Sequence, residues 1–416
     1  MLSISEAQQR ILERVEPLAG ERVSIVEAIG RILAEDVVAG RMLPPFDNSA
    51  MDGYAVRAAD LEQKPGVRLR VVGESRAGCG EIPRVGPGEA VRIFTGAVLP
   101  PGADTVVMQE VVDREGDEIV VTKLPVPGAN VRRAGEDVSL GVVALRCGTV
   151  VDAGAIGLAC GLGRTALAVV GRPRVAVLAT GDELREPDEP LAVGEIVGSN
   201  SYALAAQIVE AGGVPVSLGI ARDNEASIRE RLERGLRCDV VLTSGGVSVG
   251  DYDLVRMVLD NLGWENSFWK VNMKPGKPLS VGWLKGVPVI GLPGNPASSM
   301  VTFELFVRPV IRRMLGYRWP FRRELTAPLT AAYFKDDDRT HIVRCRTRRA
   351  GETLAVEPLG KQGSGMLSSM VGIHALAVID GPARTVAANS RVRVLALAPD
   401  LETHAKLAQA AEAPEK

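Results

Sequence analysis

Three segments rich in glycine and proline, each following a short apolar run, hold the residues best suited to chemistry. They are Thr243-Ser-Gly-Gly-Val-Ser-Val-Gly-Asp-Tyr-Asp253, Lys274-Pro-Gly-Lys277-Pro and Gly291-Leu-Pro-Gly-Asn-Pro296. The loop through Ser244, Gly245, Gly246 and Ser248 can aim several backbone N–H groups at one anion, because glycine permits close approach and positive φ. A helix starting directly after it would add its positive end. No Gly-Lys-Ser/Thr stands at Walker A spacing, and a ligand-free strand-to-helix turn would read similarly. Asp251 and Asp253 follow the loop. Carboxylates beside a phosphate suit Mg²⁺, which takes oxygen ligands and keeps its waters, although a helix cap and a first-turn acid are ordinary uses of Asp there.

Further acids end two neighbouring predicted strands, Glu183 in Thr180-Gly-Asp-Glu183 and Asp223 in Arg222-Asp223-Asn224. Three acids, Glu183, Asp223 and Asp253, at successive strand ends would repel one another unless cations sit among them. Lys270, Lys274 and Lys277 bring the opposite charge, with Pro275 stiffening and Gly276 turning the chain between the last two. Oriented lysines suit an oxyanion or phosphate; solvated lysines on an exposed turn are the plainer reading. Pro293 and Pro296 break the chain after a strand, Pro296 fits a first helical turn, and Ser298 and Ser299 lie near a helix start that could seat a second anion. Far upstream, Pro44-Pro-Phe-Asp-Asn-Ser-Ala-Met-Asp52-Gly-Tyr-Ala55, Ile93-Phe-Thr95-Gly96 and Gly135-Glu-Asp137 each set an acid or hydroxyl beside glycine. They have no evident partner in their own domain, and make chemical sense if that domain reaches another active site, such as that of a second subunit.

The elements that must position these groups fall into three patterns. From residue 172 strands (174–180, 214–220, 239–243, 268–273, 279–283, 287–292) alternate with helices (202–211, 225–236, 252–262, and from Pro296 to about 315), which implies a parallel, doubly wound sheet. Ser199-Asn-Ser201 reads as the cap of the first of these helices, and Gly212 as its end. Residues 41–141 carry short β runs (67–72, 90–94, 105–109, 119–122) between Gly/Pro turns, the pattern of a small β domain. After 322 the chain is β-rich again and reads as an antiparallel barrel or sandwich. An amphipathic helix is expected near residues 4–16.

Composition narrows the class. At 416 residues two to four domains are expected. A net charge of −2 argues against a general nucleic-acid binder. Cys79, Cys147, Cys160, Cys238 and Cys345 lie far apart and the three histidines do not cluster, so neither a Cys/His zinc site nor a disulfide framework is expected. No window is apolar enough for a membrane span, the start lacks a signal-peptide core, and the cytoplasm is the expected compartment.

Taken in order along the chain, these motifs, with Ala134-Gly-Glu-Asp137 and Ala179-Thr-Gly-Asp-Glu-Leu184, resemble the MoeA family, the molybdopterin molybdenumtransferases, which includes the gephyrin E domain. The resemblance implies an elongated multidomain α/β plus β chain. Its parts would be a discontinuous α/β domain (21–40 and 142–171), an inserted small β domain (41–141), a molybdopterin-binding doubly wound α/β domain (1–20 and 172–321), a C-terminal β-barrel (322–403) and a tail (404–416). It implies a homodimer with the active site at the subunit interface, and insertion of molybdenum from molybdate into adenylylated molybdopterin with Mg²⁺-dependent release of AMP. Asp52, Thr95, Asp137, Glu183, Asp223, Asp253, Lys270 and Lys274 match catalytic positions. Ser244, Gly245, Gly246, Ser248, Lys277, Pro293, Pro296, Ser298, Arg344 and Ser364 match substrate-binding ones, with Ser368 competing with Ser364. Glu183, Asp223 and Asp253 are the implied metal ligands. The molybdopterin adenylyltransferase and cofactor-receiving proteins are candidate partners. Rival readings are a molybdopterin adenylyltransferase, a non-catalytic scaffold, and tungstate in place of molybdate.

Overall fold

The computed structural model describes residues 1–61, 65–78, 80–245, 254–350, 353–382 and 384–398. The chain divides into two compact units, Glu21–Val169 and Met1–Gly20 with Val170–Lys416. No helix among the described residues is long and apolar enough to cross a membrane.

In the larger unit a six-stranded sheet runs in the order Val214–Ala221, Arg174–Thr180, Val240–Ser244, Val287–Leu292, Pro278–Leu284, Glu265–Lys270. The first four strands are parallel and nearly all apolar, as strands covered on both faces must be. Val175, Val177, Val240 and Leu242 face one core, with Ile11, Leu204, Ile208 and Phe303. Ala176, Leu178 and Val241 face the other, with Ile228, Leu232, Val255 and Val258. The expected fully parallel sheet is corrected at one edge, where Pro278–Leu284 and Glu265–Lys270 join antiparallel. The turn carrying Lys274 and Lys277 links these two strands, too short a connection for a parallel crossover.

The helices obey local rules. Ser3 caps Ile4–Leu12 in a capping box with Glu6, and Asn224 caps Glu225–Gly235. Gly212 ends Ser199–Ala211 in the left-handed region at φ 98°. That helix begins at Ser199 with Gly198 in the cap position and no side-chain cap bond, so the capping expected of Ser199-Asn-Ser201 is not what those residues do. The last long helix runs as Pro296–Thr302, a π-helical turn Phe303–Val307, and Arg308–Met314. Gln8 Nε2 donates to the Leu305 carbonyl within the π-helical turn, at 2.8 Å.

The C-terminal strands form a second sheet in the order Met273–Lys274, Thr340–Ala350, Ala375–Ile379, Arg391–Ala396, Glu324–Pro328, with Thr353–Pro358 beside Thr340–Ala350. A bridge from Leu329 to Val356 brings the sheet back on itself, the barrel alternative of the two expected. Buried Glu304 ties it to the long helix: Arg322 Nε donates to Glu304 at 2.8 Å and Arg322 Nη1 to the Leu397 carbonyl at 3.2 Å.

The smaller unit is built on a six-stranded sheet ordered Thr105–Met108, Gly53–Val56, Glu89–Ile93, Val67–Ser75, Glu118–Val121, Val112–Glu115. Four of these strands match the predicted β runs. Gly53–Val56 was not predicted, yet it is buried throughout. A Cβ on Gly53 would land on the Val107 carbonyl oxygen of the next strand, so only glycine allows this pairing. Beside the sheet, the helix Ala153–Gly161 packs Ala155 and Ala159 against Leu33, Val37 and Val169.

Phe303 is fully buried where the long helix meets the sheet. Phe303→Ala is expected to cost about 3–5 kcal/mol and to lower the urea midpoint of the larger unit, followed by tryptophan fluorescence. An unchanged midpoint would remove Phe303 from the core that sets stability.

Candidate functional site

In the smaller unit the three upstream motifs meet in one polar corner. The Thr95 backbone N–H and hydroxyl both donate to Asp52 Oδ1, at 2.8 and 2.7 Å. The Gly96 N–H donates to the Ser49 carbonyl at 2.8 Å, and Asn48–Ser49 pairs with Val131–Arg132. Asp47 accepts from the Ala134 N–H at 2.8 Å and from Arg133 Nη1 at 2.6 Å. The segment holding Asp137 is thereby tied to the one holding Asp52. Asp137 itself is exposed, and its backbone N–H donates to the Leu43 carbonyl at 3.0 Å. The expectation that these motifs lack local partners is therefore corrected: each supports the others.

Asp52 is held as a carboxylate below the usual range, first by the Thr95 backbone N–H, then by its hydroxyl, with Arg92 adding positive charge. Its folded-state pKa is lowered, so whatever stability it contributes is complete above the ordinary carboxylate pKa and is lost as pH falls through the lowered value.

In the larger unit the ends of the parallel strands form a second polar rim. Asp182 and Asp223 bond reciprocally: the Asp182 N–H donates to Asp223 Oδ2 at 3.3 Å and the Asp223 N–H to Asp182 Oδ1 at 3.2 Å. This joins Thr180-Gly-Asp-Glu183 to Arg222-Asp223-Asn224, as expected of adjacent strand ends. Glu183 is exposed and its carboxylate folds over Gly181, whose φ of 150° is a backbone conformation that favours glycine. Ser244 is buried, and its Oγ accepts from Asn200 Nδ2 at 3.0 Å. The same Asn200 nitrogen donates to the Gly294 carbonyl at 2.7 Å. Asn200 thus staples the Ser244–Gly245 loop to the Pro293–Pro296 loop, a role that the helix-cap reading missed. Gly245, at φ 92°, lies against the Thr180 carbonyl. Gly246, Ser248, Asp251 and Asp253 fall outside the described residues.

The helix beginning at Pro296 does not offer an open anion seat. The Ala297 and Ser298 N–H groups both donate to the Ser364 carbonyl, at 3.0 and 3.3 Å, and Asn295 Nδ2 donates to Ser364 Oγ at 3.1 Å. Ser298 is buried and Pro293 is buried beside it. The Ser364 loop is also held to Arg344, whose Nη2 donates to the Gly363 carbonyl at 3.2 Å, while Gln362 accepts from the Arg344 N–H at 3.0 Å. Ser368 is exposed in the next turn, where its carbonyl accepts from the Val371 N–H.

Arg344 is 0% exposed, and its Nε and Nη1 have no hydrogen-bond partner among the described residues. No carboxylate among the described residues pairs with it. Burial lowers its pKa, with Tyr333 partly opposing. A buried cation without a counter-ion is costly, and an anion would relieve that cost.

The three lysines separate. Lys277 is exposed and Lys270 half-buried, on facing positions of the turn where the Val271 N–H meets the Lys277 carbonyl. Lys274 is not a free ammonium as the sequence suggested: its Nζ bonds Asp336 and lies 3.7 Å from Asp337 Oδ2. Gly276, at φ 97°, packs against Thr302, where a side chain would collide.

Thr95→Val removes one of the two donors to Asp52. The Asp52 carboxyl should then titrate closer to its ordinary range while the backbone N–H still holds it below, measured by carbon NMR against pH. An unmoved titration would show that the hydroxyl bond does not form in solution.

Three family models match consecutive stretches of the chain: "MoeA N-terminal region (domain I and II)" over residues 2–163, "Probable molybdopterin binding domain" over 176–313 and "MoeA C-terminal region (domain IV)" over 326–397. Molybdopterin molybdenumtransferase 2 of Mycobacterium tuberculosis is 38% identical over 384 residues, spanning 90% of this chain and 95% of that one. Molybdopterin molybdenumtransferase of Haemophilus influenzae is 37% identical over 400 residues, spanning 95% and 98%. The solved molybdopterin biosynthesis moeA protein from Pyrococcus horikoshii OT3 superposes with a TM-score of 0.80 at 31% identity, over 95% of this chain and 100% of that one. With this likeness running from the polar corner at Asp52 through the strand-end rim to the barrel arginine, the chain belongs to the MoeA family, the molybdopterin molybdenumtransferases of molybdenum cofactor biosynthesis.

Proposed function

We propose that the protein inserts molybdenum from molybdate into adenylylated molybdopterin with Mg²⁺-dependent release of AMP, as a cytoplasmic homodimer. The observation that carries the reading is Arg344, a fully buried guanidinium beside the Ser364 loop with two nitrogens unpartnered among the described residues. Such a group favours a small anion that can take several hydrogen bonds at once. Arg344, Ser364, Lys270, Lys274 and Lys277 would lower the charge of the molybdate dianion so that it can approach two thiolates. Ser244, Gly245, Gly246, Ser248, Pro293, Pro296 and Ser298 would shape the seat for the substrate. No side-chain nucleophile is required, because the attacking sulfurs belong to the substrate.

Glu183 and Asp223, with Asp253, would hold Mg²⁺. The donor set fits: all are carboxylates, Glu183 is solvent-facing, and Asp223 keeps one oxygen beyond its bond to Asp182. When bound, the ion neutralises the diphosphate and eases departure of AMP. Asp52, Thr95 and Asp137 would serve the rim of a partner subunit. Asp52 supports this reading because neutral donors hold its carboxylate, which leaves its charge available to a facing group.

The test is AMP release from adenylylated molybdopterin by the purified protein with Mg²⁺, with and without molybdate. Release is expected to depend on molybdate and to yield active cofactor. Asp52→Asn and Glu183→Gln should each slow it on the order of 10²-fold with the thermal unfolding profile kept. Binding of nucleotide without release under molybdate or tungstate would favour a scaffold, and ATP-dependent loading of AMP would favour an adenylyltransferase.

A further inference from the structure

Asp336 and Asp337 lie just before the strand Thr340–Ala350 and differ sharply in how they are held. Asp337 is saturated. Its Oδ1 accepts from the Arg339 N–H at 2.9 Å and from His341 Nε2 at 3.1 Å, and its Oδ2 accepts from Arg339 Nε at 3.0 Å and from Nη2. Arg339, first among these, holds its carboxyl well below the usual range. His341 is 2% exposed, and burial pushes its pKa down. It is therefore neutral near pH 7, with Nε2–H facing the ionised Asp337 and Nδ1 taking the Tyr333 hydroxyl at 3.0 Å. Asp336 has a side chain 70% exposed, and its bond is to Lys274.

Lys274 and Arg339 face Asp336 and Asp337, while buried Lys335 turns its ammonium to the Ile379 and Gly381 carbonyls. The carboxylates and His341 lie close enough to hold a metal ion, but Lys274 and Arg339 already supply the cations. Engaged in this way, Lys274 has no surplus positive charge to offer an incoming anion.

We propose that Asp336 is a displaceable counter-ion: it parks Lys274 when the site is empty and gives the ammonium up to the oxyanion when substrate binds. The inference rests on the reading of Lys274 as an oxyanion ligand. Exposed ion pairs are weak, so Asp336 can be exchanged, whereas the saturated Asp337 stays as the anchor that keeps Lys274 near its place. A carboxylate and an oxyanion sharing one ammonium would repel each other, which makes exchange rather than joint binding the favoured outcome. Asp336 then acts on affinity as a positioning residue and touches no reacting atom.

The test is calorimetric titration of the full-length protein with sodium molybdate alone. Asp336→Asn is expected to tighten binding about three- to fivefold. Asp338→Asn removes the same charge from a side chain that pairs with Arg384 at 3.0 Å, and should leave the affinity within about twofold. In a Lys274→Met background Asp336→Asn should change nothing. Equal or weaker binding by Asp336→Asn, an equal gain from Asp338→Asn, or a gain that survives in the Lys274→Met background would each overturn the inference. Absence of molybdate binding by the unaltered protein would overturn the functional reading itself, and this inference with it.

Discussion

A two-residue strand of the barrel sheet, set in the turn between two strands of the central sheet, organises the larger unit. Met273–Lys274 pairs in parallel with Thr340 and His341 of the barrel, while the strands on either side, Glu265–Lys270 and Pro278–Leu284, belong to the central sheet. Backbone hydrogen bonds in buried sheet cannot be left unmade without cost, so the barrel is registered against the strand-end rim residue by residue. The Ser364 carbonyl on the Pro296 helix start makes the same connection from the other side. Lys274 sits in the first attachment, and the Ser364 loop of the second is held by Arg344.

Electrostatics follow from that frame. Lysines and an arginine are brought to one region, but they are compensated unequally: Lys274 by two acids, Arg344 by none among the described residues. Burial separates the two cases. An exposed ammonium can keep water and exchange partners. A fully buried guanidinium has neither option, and its demand for an anion is built into the fold. The Asp52 corner shows the inverse arrangement, a carboxylate stabilised by neutral donors, leaving its charge available to whatever faces it.

Much of this was legible in the chain. Apolar runs ending in Gly, Asp or Ser marked the parallel strands and their rim, because parallel strands are buried on both faces and their ends are where polar groups can begin. Pro296 and Gly212 marked a helix start and a helix end through their fixed backbone preferences. Other features left no local trace. Gly53–Val56 is a four-residue strand whose opening glycine argues against strand by propensity, yet close approach to Val107 requires it. Asn200 reads as a cap and acts as a cross-loop staple, since its partners, Ser244 and Gly294, are remote in sequence. The Lys274–Asp336 pair was hidden for the same reason: periodicity reports faces, not which charges meet across 62 residues of chain.

The bond from Gln8 to the Leu305 carbonyl joins residues 297 positions apart. That carbonyl lies in the π-helical turn of the long helix, so the bond closes only once the first segment of the chain lies against it. The ribosome delivers Gln8 long before Leu305 exists. Between them comes Glu21–Val169, a contiguous unit with its own cores and hence able to close early. The opening dozen residues must wait through the synthesis of that whole unit and most of the next, their apolar face at Ala7 and Ile11 uncovered. The nascent chain can thus mature out of order: the inserted unit first, and the segment around Gln8 among the later parts to be sealed.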